Sequence, residues 1–578
     1  MTAKQRLESV VEKVLEKLET RQKLVPEHLV GLDDRVKHLT ELLDVNYRDV
    51  RLIAIYGMGG IGKTTIAKVI FNHLSFHFGK CRSFLEDVRE SSSTKEGIVE
   101  LRRNYYRRCW FRIVEQFKDS EHGMQRIGDT LSTKKVLVVL DDVDNREHIK
   151  KLIGHSLLHL GSRIIITTRN IAILQVEGFK GKILPFEMLK MDDGLALQLF
   201  CRHAFGRDIP PDDYQEISSE IVSSTGGLPL AIEVTGSLLR RRDEAFWKET
   251  FVRLRNVPEE GILKKLRISY DDLDVYQQQI FLDIACFFFN KSKIDAIYMW
   301  TDCQFYPERG IEVLTNKCLI KIFDNDKFWM HDQLIDMGRQ IVRQENPSNL
   351  GKRSRLWTAN EVLEIIKIEE RKDKVQALQK NGRDHSIEIT NEDFERFPNL
   401  RLLELQHGTF ARDFKRCHSN LRWFLWSFPP EKDFRADNLY LDRLVVCNFH
   451  CIDFEDDSKA WDLIKRARAL KLLSITWCLG ITTVPDISRC LNLERLTLEG
   501  CFGLKRIESF IGNLQSLIEL KIEQCEHFMD LPEEIGNLVK LQHFSLSRCN
   551  KLRELPCSIG NLTSLAELNL SVCALPNF

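Results

Sequence analysis

Gly57-Met58-Gly59-Gly60-Ile61-Gly62-Lys63-Thr64-Thr65 is the stretch that decides the fold around it. It follows Arg51-Leu52-Ile53-Ala54-Ile55-Tyr56, a short apolar run that reads as a buried strand. Ile66 to Asn72 after it reads as a helix. Strand, glycine loop, Lys-Thr and helix together make a phosphate-binding P-loop, and the match to G-x-x-x-x-G-K-[ST] is complete. Gly57, Gly59, Gly60 and Gly62 let backbone N–H groups turn inward around an anionic phosphate, where side chains would obstruct them. The helix N-terminus adds partial positive charge. Lys63 reaches a β- or γ-phosphate, the Thr64 hydroxyl suits Mg²⁺, and Thr65 continues the loop into the helix. A chance glycine-rich turn would leave the flanking strand and helix unexplained.

A second signal lies downstream. Val136-Leu137-Val138-Val139-Leu140 reads as a central parallel strand buried on both faces. Asp141 and Asp142 stand at its C-terminal end, where open α/β sheets bind ligands. Beside a P-loop such acids have a use: Asp141 for the Mg²⁺ shell and Asp142 as a base that polarises water. Gly161 to Arg169 is another buried strand ending in polar residues. Arg169 at that tip can reach a γ-phosphate and report its presence. The fold expected here is a P-loop α/β domain.

The rest of the 578 residues exceeds one domain. Hydrophobic residues make up 43% and charged residues 29%, an ordinary globular composition. Formal net charge is zero, so nothing global points to nucleic acid or an anionic membrane. The 16 Cys form no C-x-x-C pair, and Met1 to Glu19 is charged throughout, unlike a secretory signal. The cysteines therefore read as reduced thiols of an intracellular protein. The most apolar run, Ile280 to Phe289, is far shorter than the ~20 residues that span a bilayer, and it contains Asp283.

Leu7 to Leu18 has helical apolar spacing, and Pro26 follows it. Leu29 to Arg35 is a small apolar turn that either caps a nucleotide base or merely leads the chain into the domain. Residue types alone favour the second. Leu101 to Arg112 mixes five arginines with Tyr105, Tyr106 and Trp110. It reads as a solvated helix face in preference to a nucleic-acid surface. From Asp192 the pattern turns helical: a first helix broken by Pro210-Pro211, a second from Tyr214 to Ser224, and a third opened by Pro229. Ile280 to Phe289 reads as core. Leu314 to Ile322 and Phe328 to Asp332 read as a hairpin, followed by a helix from Gln333 to Gln344. Helices followed by a hairpin form a winged-helix unit. His331 alone reads as a buried or capping histidine.

The last third repeats. Leu493-x-x-Leu496-x-Leu498-x-x-Cys501 recurs from Leu517, Leu541 and Leu565 in steps of 24 residues. Leu470 to Cys478 fits one residue short, and weaker copies start at Leu400 and Leu421. This is the leucine-rich-repeat pattern, one strand per turn of a solenoid. The repeated Cys is structural. Glu494, Arg495, Thr497 and Glu499 are expected to line a concave surface suited to a protein partner.

In their order these elements resemble a plant intracellular immune receptor of the NB-ARC leucine-rich-repeat class. The resemblance is carried by the P-loop, Leu137 to Asp144, Gly161 to Arg169, Gly227-Leu228-Pro229-Leu230-Ala231 and Met330-His331-Asp332. Asp144 and the Phe281-to-Phe289 segment resemble the branch with an N-terminal TIR domain. The resemblance implies a linker helix over 1–28, a nucleotide-binding domain over 29–191, a helical domain over 192–256, a winged-helix domain over 257–370 and repeats over 371–578. It implies an ADP/ATP switch with Mg²⁺, closed around ADP and opening on exchange to ATP, with self-oligomerisation in the ATP state. By matching positions, Lys63 and Thr64 serve phosphate and Mg²⁺, Asp141 the metal and Arg169 the γ-phosphate. Pro229 packs near adenine, and His331 contacts the ADP β-phosphate. Val30 and Gly31 match the adenine-proximal turn.

The pattern has departures. No TIR domain precedes Leu7, so its NAD-cleaving activity is not expected. The arginine-rich segment is unusual, and the repeats end without an evident cap, as in a truncated member. The implied partners are a pathogen effector or a guarded host protein, with no nucleic acid and no membrane span. The implied location is cytoplasmic or nucleo-cytoplasmic. Two other functions fit the same residues: a turnover ATPase that remodels a partner, and a signalling-deficient decoy or adaptor working through its repeats. ATP hydrolysis, if present, is expected to be slow.

Overall fold

The structure, a computed structural model, describes all residues except 1–21, 80, 93–132, 154–157, 175–178, 180, 256–261, 324–325, 383–386, 412–416, 430–438, 459–460, 572 and 574–578. The helix expected over Leu7 to Leu18 and the arginine-rich segment Leu101 to Arg112 lie outside the described residues. The chain forms two compact units, 1–272 and 273–578.

The first unit is built on five parallel strands in the order β2-β3-β4-β1-β5. They are β1 (Arg51–Tyr56), β2 (Arg82–Leu85), β3 (Leu137–Leu140), β4 (Arg163–Thr168) and β5 (Lys182–Glu187). Strand β3 is fully buried, as is β4, because helices cover both faces of a parallel sheet. Helices α1 (Asp33–Leu43), α2 (Lys63–Phe78) and α3 (Arg146–Ile153) belong to this layer. Strand β5 is half-exposed and carries Pro185, which an edge strand tolerates because it needs no second row of hydrogen bonds. Buried Arg163 on β4 holds the loop after α1 by donating to the carbonyls of Leu43, Asp44, Tyr47 and Asp49.

Among the described residues five α-helices follow in the same unit: α4 (Asp193–Phe205), α5 (Gln215–Thr225), α6 (Pro229–Leu239), α7 (Glu244–Arg255) and α8 (Ile262–Asp271). Asp192 caps α4 by accepting from the Leu195 N–H. The helix stops at Gly206, which takes the left-handed conformation, so the terminator is this glycine and the prolines lie beyond it. Phe200, Phe205, Tyr214 and Trp247 form the aromatic centre of these helices.

The second unit opens with α9 (Val275–Asp283), capped by a reciprocal Asp274–Gln277 pair. One wide turn, Ile284–Phe288, extends it as a π-helix, and all five residues are buried. Next come α10 (Lys293–Asp302) and α11 (Pro307–Asn316). The expected hairpin is shorter than its apolar pattern, because Leu314 to Asn316 still belong to α11. Only β6 (Lys321–Ile322) and β7 (Phe328–Trp329) pair, antiparallel, before α12 (Asp332–Glu345).

A ten-stranded parallel sheet occupies the remainder. Its strands are β8 (Arg355–Leu356), β9 (Ala377–Lys380), β10 (Leu402–Gln406), β11 (Trp423–Ser427), β12 (Val446–His450), β13 (Leu472–Thr476), β14 (Arg495–Glu499), β15 (Glu519–Glu523), β16 (His543–Ser545) and β17 (Glu567–Asn569). Leu496, Leu498, Leu520 and Ile522 are fully buried, as are Cys478, Cys501, Cys525 and Cys549. Each turn of chain thus adds one apolar layer to a continuous core.

A second periodic feature follows the strands. His407, Phe428, Cys451, Trp477, Gly500, Gln524 and Arg548 all have left-handed backbones. Each donates its N–H to a carbonyl of the next repeat, at 2.7–3.2 Å.

The strand face expected to be open is partly engaged by the chain itself. Tyr298 on α10 donates to Glu494 Oε2 at 2.8 Å, and Lys471 pairs with the same carboxylate at 3.0 Å. Arg422 reaches Asp302 at 2.7 Å, Lys291 reaches Glu404 at 2.5 Å, and Phe288 stands edge-on to Trp423. Arg495 pairs with Glu519 at 2.6 Å. Glu494 and Arg495 are therefore half-buried internal contacts, contrary to the open surface expected of them.

Candidate nucleotide-binding site

Strand β1 delivers the chain into the glycine loop, and α2 begins at Lys63. Gly57, Gly60 and Gly62 have φ of +148°, +77° and +94°. A Cβ on Gly57 would lie 2.9 Å from the Met188 carbonyl oxygen, so backbone packing as well as φ requires glycine there. Lys63 is buried, and its Nζ donates to the carbonyls of Gly57 at 2.9 Å and Met58 at 2.7 Å. Thr65 and Gly59 lie in the same turn and helix start.

Thr64 Oγ1 donates to Asp141 Oδ1 at 2.9 Å, joining the P-loop helix to the tip of β3. Thr167, at the end of β4, donates to the same oxygen at 2.5 Å and accepts from the Asp142 N–H at 2.8 Å. Burial is the largest influence on Asp141 and pushes its carboxyl up to about 6, against the hydrogen bonds from Thr167 and Thr64 and the charge of Lys68. An all-oxygen pair of one hydroxyl and one carboxylate fits a hard divalent cation such as Mg²⁺.

Asp142 has a left-handed backbone, and its carboxylate lies 3.0 Å from Arg89 and 3.5 Å from Arg169. The expected phosphate reporter and the expected base are thus an ion pair. Arg89, Thr167 and Met188 were not legible as site residues. Asp87 is also left-handed, and burial followed by the charges of Asp141 and Glu86 pushes its carboxyl well up.

Two further expected residues come into place in this unit. Pro229 is the first residue of α6, and the next N–H, that of Leu230, donates to the Gly60 carbonyl at 3.3 Å. The start of α6 is thereby set against the glycine loop. Val30 and Gly31 pack on α4: Val30 joins its apolar core, and Gly31, with φ of +67°, faces Leu195. His331 belongs to the second unit. It caps α12, its Nδ1 accepting from the Gln333 N–H at 3.3 Å, and it contacts Asp332. Its ring stands edge-on to Trp329.

Among the described residues no His/Cys/Asp/Glu group is arranged to hold a metal by itself, and no helix is long and apolar enough to cross a membrane.

Residues 32–209 match the NB-ARC domain, and residues 274–346 match the winged-helix domain of Roq1-like disease resistance proteins. The TMV resistance protein N of Nicotiana glutinosa is 32% identical over 504 residues, 86% of this chain and 42% of that protein. The disease resistance protein RUN1 of Vitis rotundifolia is 32% identical, over 88% of this chain and 40% of its own length. RPP5 of Arabidopsis thaliana is 31% identical, over 89% of this chain and 35% of its own. The chain spans about two fifths of the curated relatives it matches. Among solved structures, a Signal Transduction ATPase with Numerous Domains from Pyrococcus horikoshii is similar over 56% of this chain and 44% of its own, with 16% identity and a TM-score of 0.33. The chain thus carries an NB-ARC domain followed by a Roq1-like winged-helix domain, and its homologues are plant disease resistance proteins of the TIR-NB-LRR type.

Proposed function

We propose that this chain is the ADP/ATP-binding switch of a plant immune receptor. The observation that carries this reading is the bond from Thr64 to Asp141 beside a buried Lys63, which sets a phosphate-binding loop against a carboxylate suited to Mg²⁺. Gly57, Gly59, Gly60 and Gly62 supply backbone N–H groups, and Lys63 and Thr65 complete the phosphate cradle. Pro229, Val30 and Gly31 are assigned to the adenine side. Arg169 is the γ-phosphate reporter, and Asp142 beside it is the carboxylate that orients water in slow hydrolysis. His331 and Asp332 bias which nucleotide is retained.

The domain division we assign is a linker over 1–28, the nucleotide-binding domain over 29–191, a helical domain over 192–256, a winged-helix domain over 257–370 and leucine-rich repeats over 371–578. The repeats serve recognition of an effector or guarded host protein, and autoinhibition. Self-oligomerisation belongs to the ATP state, and the location is cytoplasmic. A switch of this kind requires differential affinity between two states and no rapid turnover.

The test is the nucleotide carried by the purified chain. Wild-type protein is expected to retain ADP, Lys63→Ala to carry none, and Asp332→Val to carry a raised ATP fraction. Equal ADP occupancy in all three would sink the reading. Phosphate release well above about one per minute, approaching ordinary enzyme turnover, would favour a remodelling ATPase.

A further inference from the structure

The segment just upstream of the nucleotide-binding domain is gripped by the helix that starts at the P-loop. Asn72 lies on α2, nine residues after Lys63. Its Oδ1 accepts from the Lys23 N–H at 2.7 Å, and its Nδ2 donates to the Lys23 carbonyl at 2.8 Å. One side-chain amide thus satisfies both main-chain groups of Lys23, as a neighbouring strand would. The Lys23 side chain is held separately. Its ammonium lies 2.9 Å from Glu86 Oε1 and 5.0 Å from the centre of the Phe84 ring.

Glu86 is shared. Lys68, also on α2 and buried, places its ammonium 3.5 Å from the same Oε1 atom. Lys68 stands four residues after Thr64 on the same face of α2, and its charge acts on Asp87 and on Asp141, the carboxylate bonded to Thr64. A run of charged groups therefore leads from Lys23 through Glu86 and Lys68 to the two carboxylates Asp87 and Asp141. One end is the upstream segment and the other is the metal position assigned above.

We propose that Lys68 couples metal loading at Thr64 and Asp141 to the grip on residues 22–26. This rests on the nucleotide-site reading. The sign follows from charge. A divalent cation beside Asp141 competes with Lys68 for that carboxylate and repels its ammonium toward Glu86. Two ammonium groups then crowd one carboxylate oxygen, and the more exposed of them, Lys23, loosens. Metal loading weakens the hold on the upstream segment, and metal removal strengthens it. By linkage, a tightly held segment disfavours the metal-bound state by the same factor.

The test uses the full chain with ADP, in Mg²⁺ or in EDTA, and reads amide hydrogen exchange at residues 22–25. Exchange is expected to be at least about fivefold faster with Mg²⁺, the low end of coupling between sites. Lys68→Met keeps the length of the side chain and removes its charge, and it should make exchange independent of Mg²⁺. Should that variant fail to fold, Glu86→Gln removes the shared carboxylate and is expected to do the same. Asn72→Ala should release the segment in both conditions. ADP retained by the wild type with Mg²⁺-independent exchange would overturn the coupling and leave the nucleotide reading standing. An Mg²⁺ effect that persists in Lys68→Met or Glu86→Gln would also overturn it. Loss of ADP binding by the wild type would remove both.

Discussion

Asp283 and Arg401, 118 residues apart, are joined by two hydrogen bonds: Arg401 Nη2 lies 2.9 Å from both carboxylate oxygens. Both side chains are buried. Arg355 adds a bond at 2.8 Å and Trp300 another at 2.7 Å, so one carboxylate ties α9, α10 and the first strands of the parallel sheet together. Burial alone would push the Asp283 carboxyl up. The charges of Arg401 and Arg355, with hydrogen bonds from Arg401 and Trp300, outweigh it and hold the group below the usual carboxylate value.

Arg401→Met should therefore destabilise the second unit by about 3 kcal/mol, the range for breaking a buried pair from one side. A group with a depressed carboxyl value contributes stability above its unfolded value and loses it as pH falls through the folded one. The variant should accordingly begin acid unfolding at a higher pH than the parent. Arg422→Met is the control: its partner Asp302 is largely exposed, and the cost should stay below about 1 kcal/mol. Urea titrations of both variants at pH 7, with an acid titration of the first, decide the matter.

Asp141 has the opposite sign. Its carboxyl is raised to about 6, so the folded state binds this proton more tightly than the unfolded chain does. Stability from this group is present below about pH 4 and is lost as pH rises through 6. In nucleotide-free protein, Asp141→Asn should gain on the order of 3 kcal/mol at pH 8 and little at pH 4, because about two pH units are relieved. The same variant should lose the Mg²⁺ dependence of nucleotide binding. In the parent that dependence should fade below about pH 6. Melting curves at two pH values and a nucleotide titration with and without Mg²⁺ test each half.

The P-loop, the acid-tipped strand β3 and the repeats were legible because each is a local pattern. Residues within nine positions of Gly57 state the phosphate site, and a step of 24 residues states the stacking. Other elements were not legible. Strand β5 is half-exposed and interrupted by Pro185, so it leaves no apolar run. Strand β12 places Cys447 and Phe449 where β13 and β14 place leucine or isoleucine, so it breaks the motif while burying the same layer. Asp283 sits inside an apolar run that marks core, and nothing nearby announces its two arginine partners, which lie 72 and 118 residues downstream. Arg89 and Thr167 became site residues only when β2, β3 and β4 were set side by side.

Gly500 offers a test of the left-handed row beside the sheet. Its φ is +63°, and an added Cβ would lie 2.9 Å from the Trp477 ring. The ring in turn stands edge-on to Phe502. Other positions in the row carry side chains, so conformation alone does not demand glycine. Gly500→Ala should cost about 1–3 kcal/mol through backbone strain and the displaced ring. Gly500→Ala combined with Trp477→Ala should cost less than the two changes summed, because the second removes the clash. Thermal unfolding of the four proteins in that cycle measures the difference.

The cysteines of the repeats are placed for packing, and their chemistry should show it. Burial pushes the Cys478 and Cys549 thiols up to about 12, and both side chains are fully enclosed. At pH 8 a thiol of that kind is ionised in about one molecule in ten thousand, and the thiolate is the nucleophile. Cys557, by contrast, is exposed. Brief alkylation of the native chain at pH 8 should therefore label Cys557 and leave Cys478 and Cys549 unmodified, as peptide mass spectrometry would report. In urea above the unfolding midpoint all three should react at similar rates. Arg401→Met should raise labelling of Cys478 and Cys549 in proportion to its loss of stability if the second unit opens cooperatively. Unchanged labelling in that variant would mean that the repeats stay closed when the Asp283 junction breaks, as nearest-neighbour stacking permits.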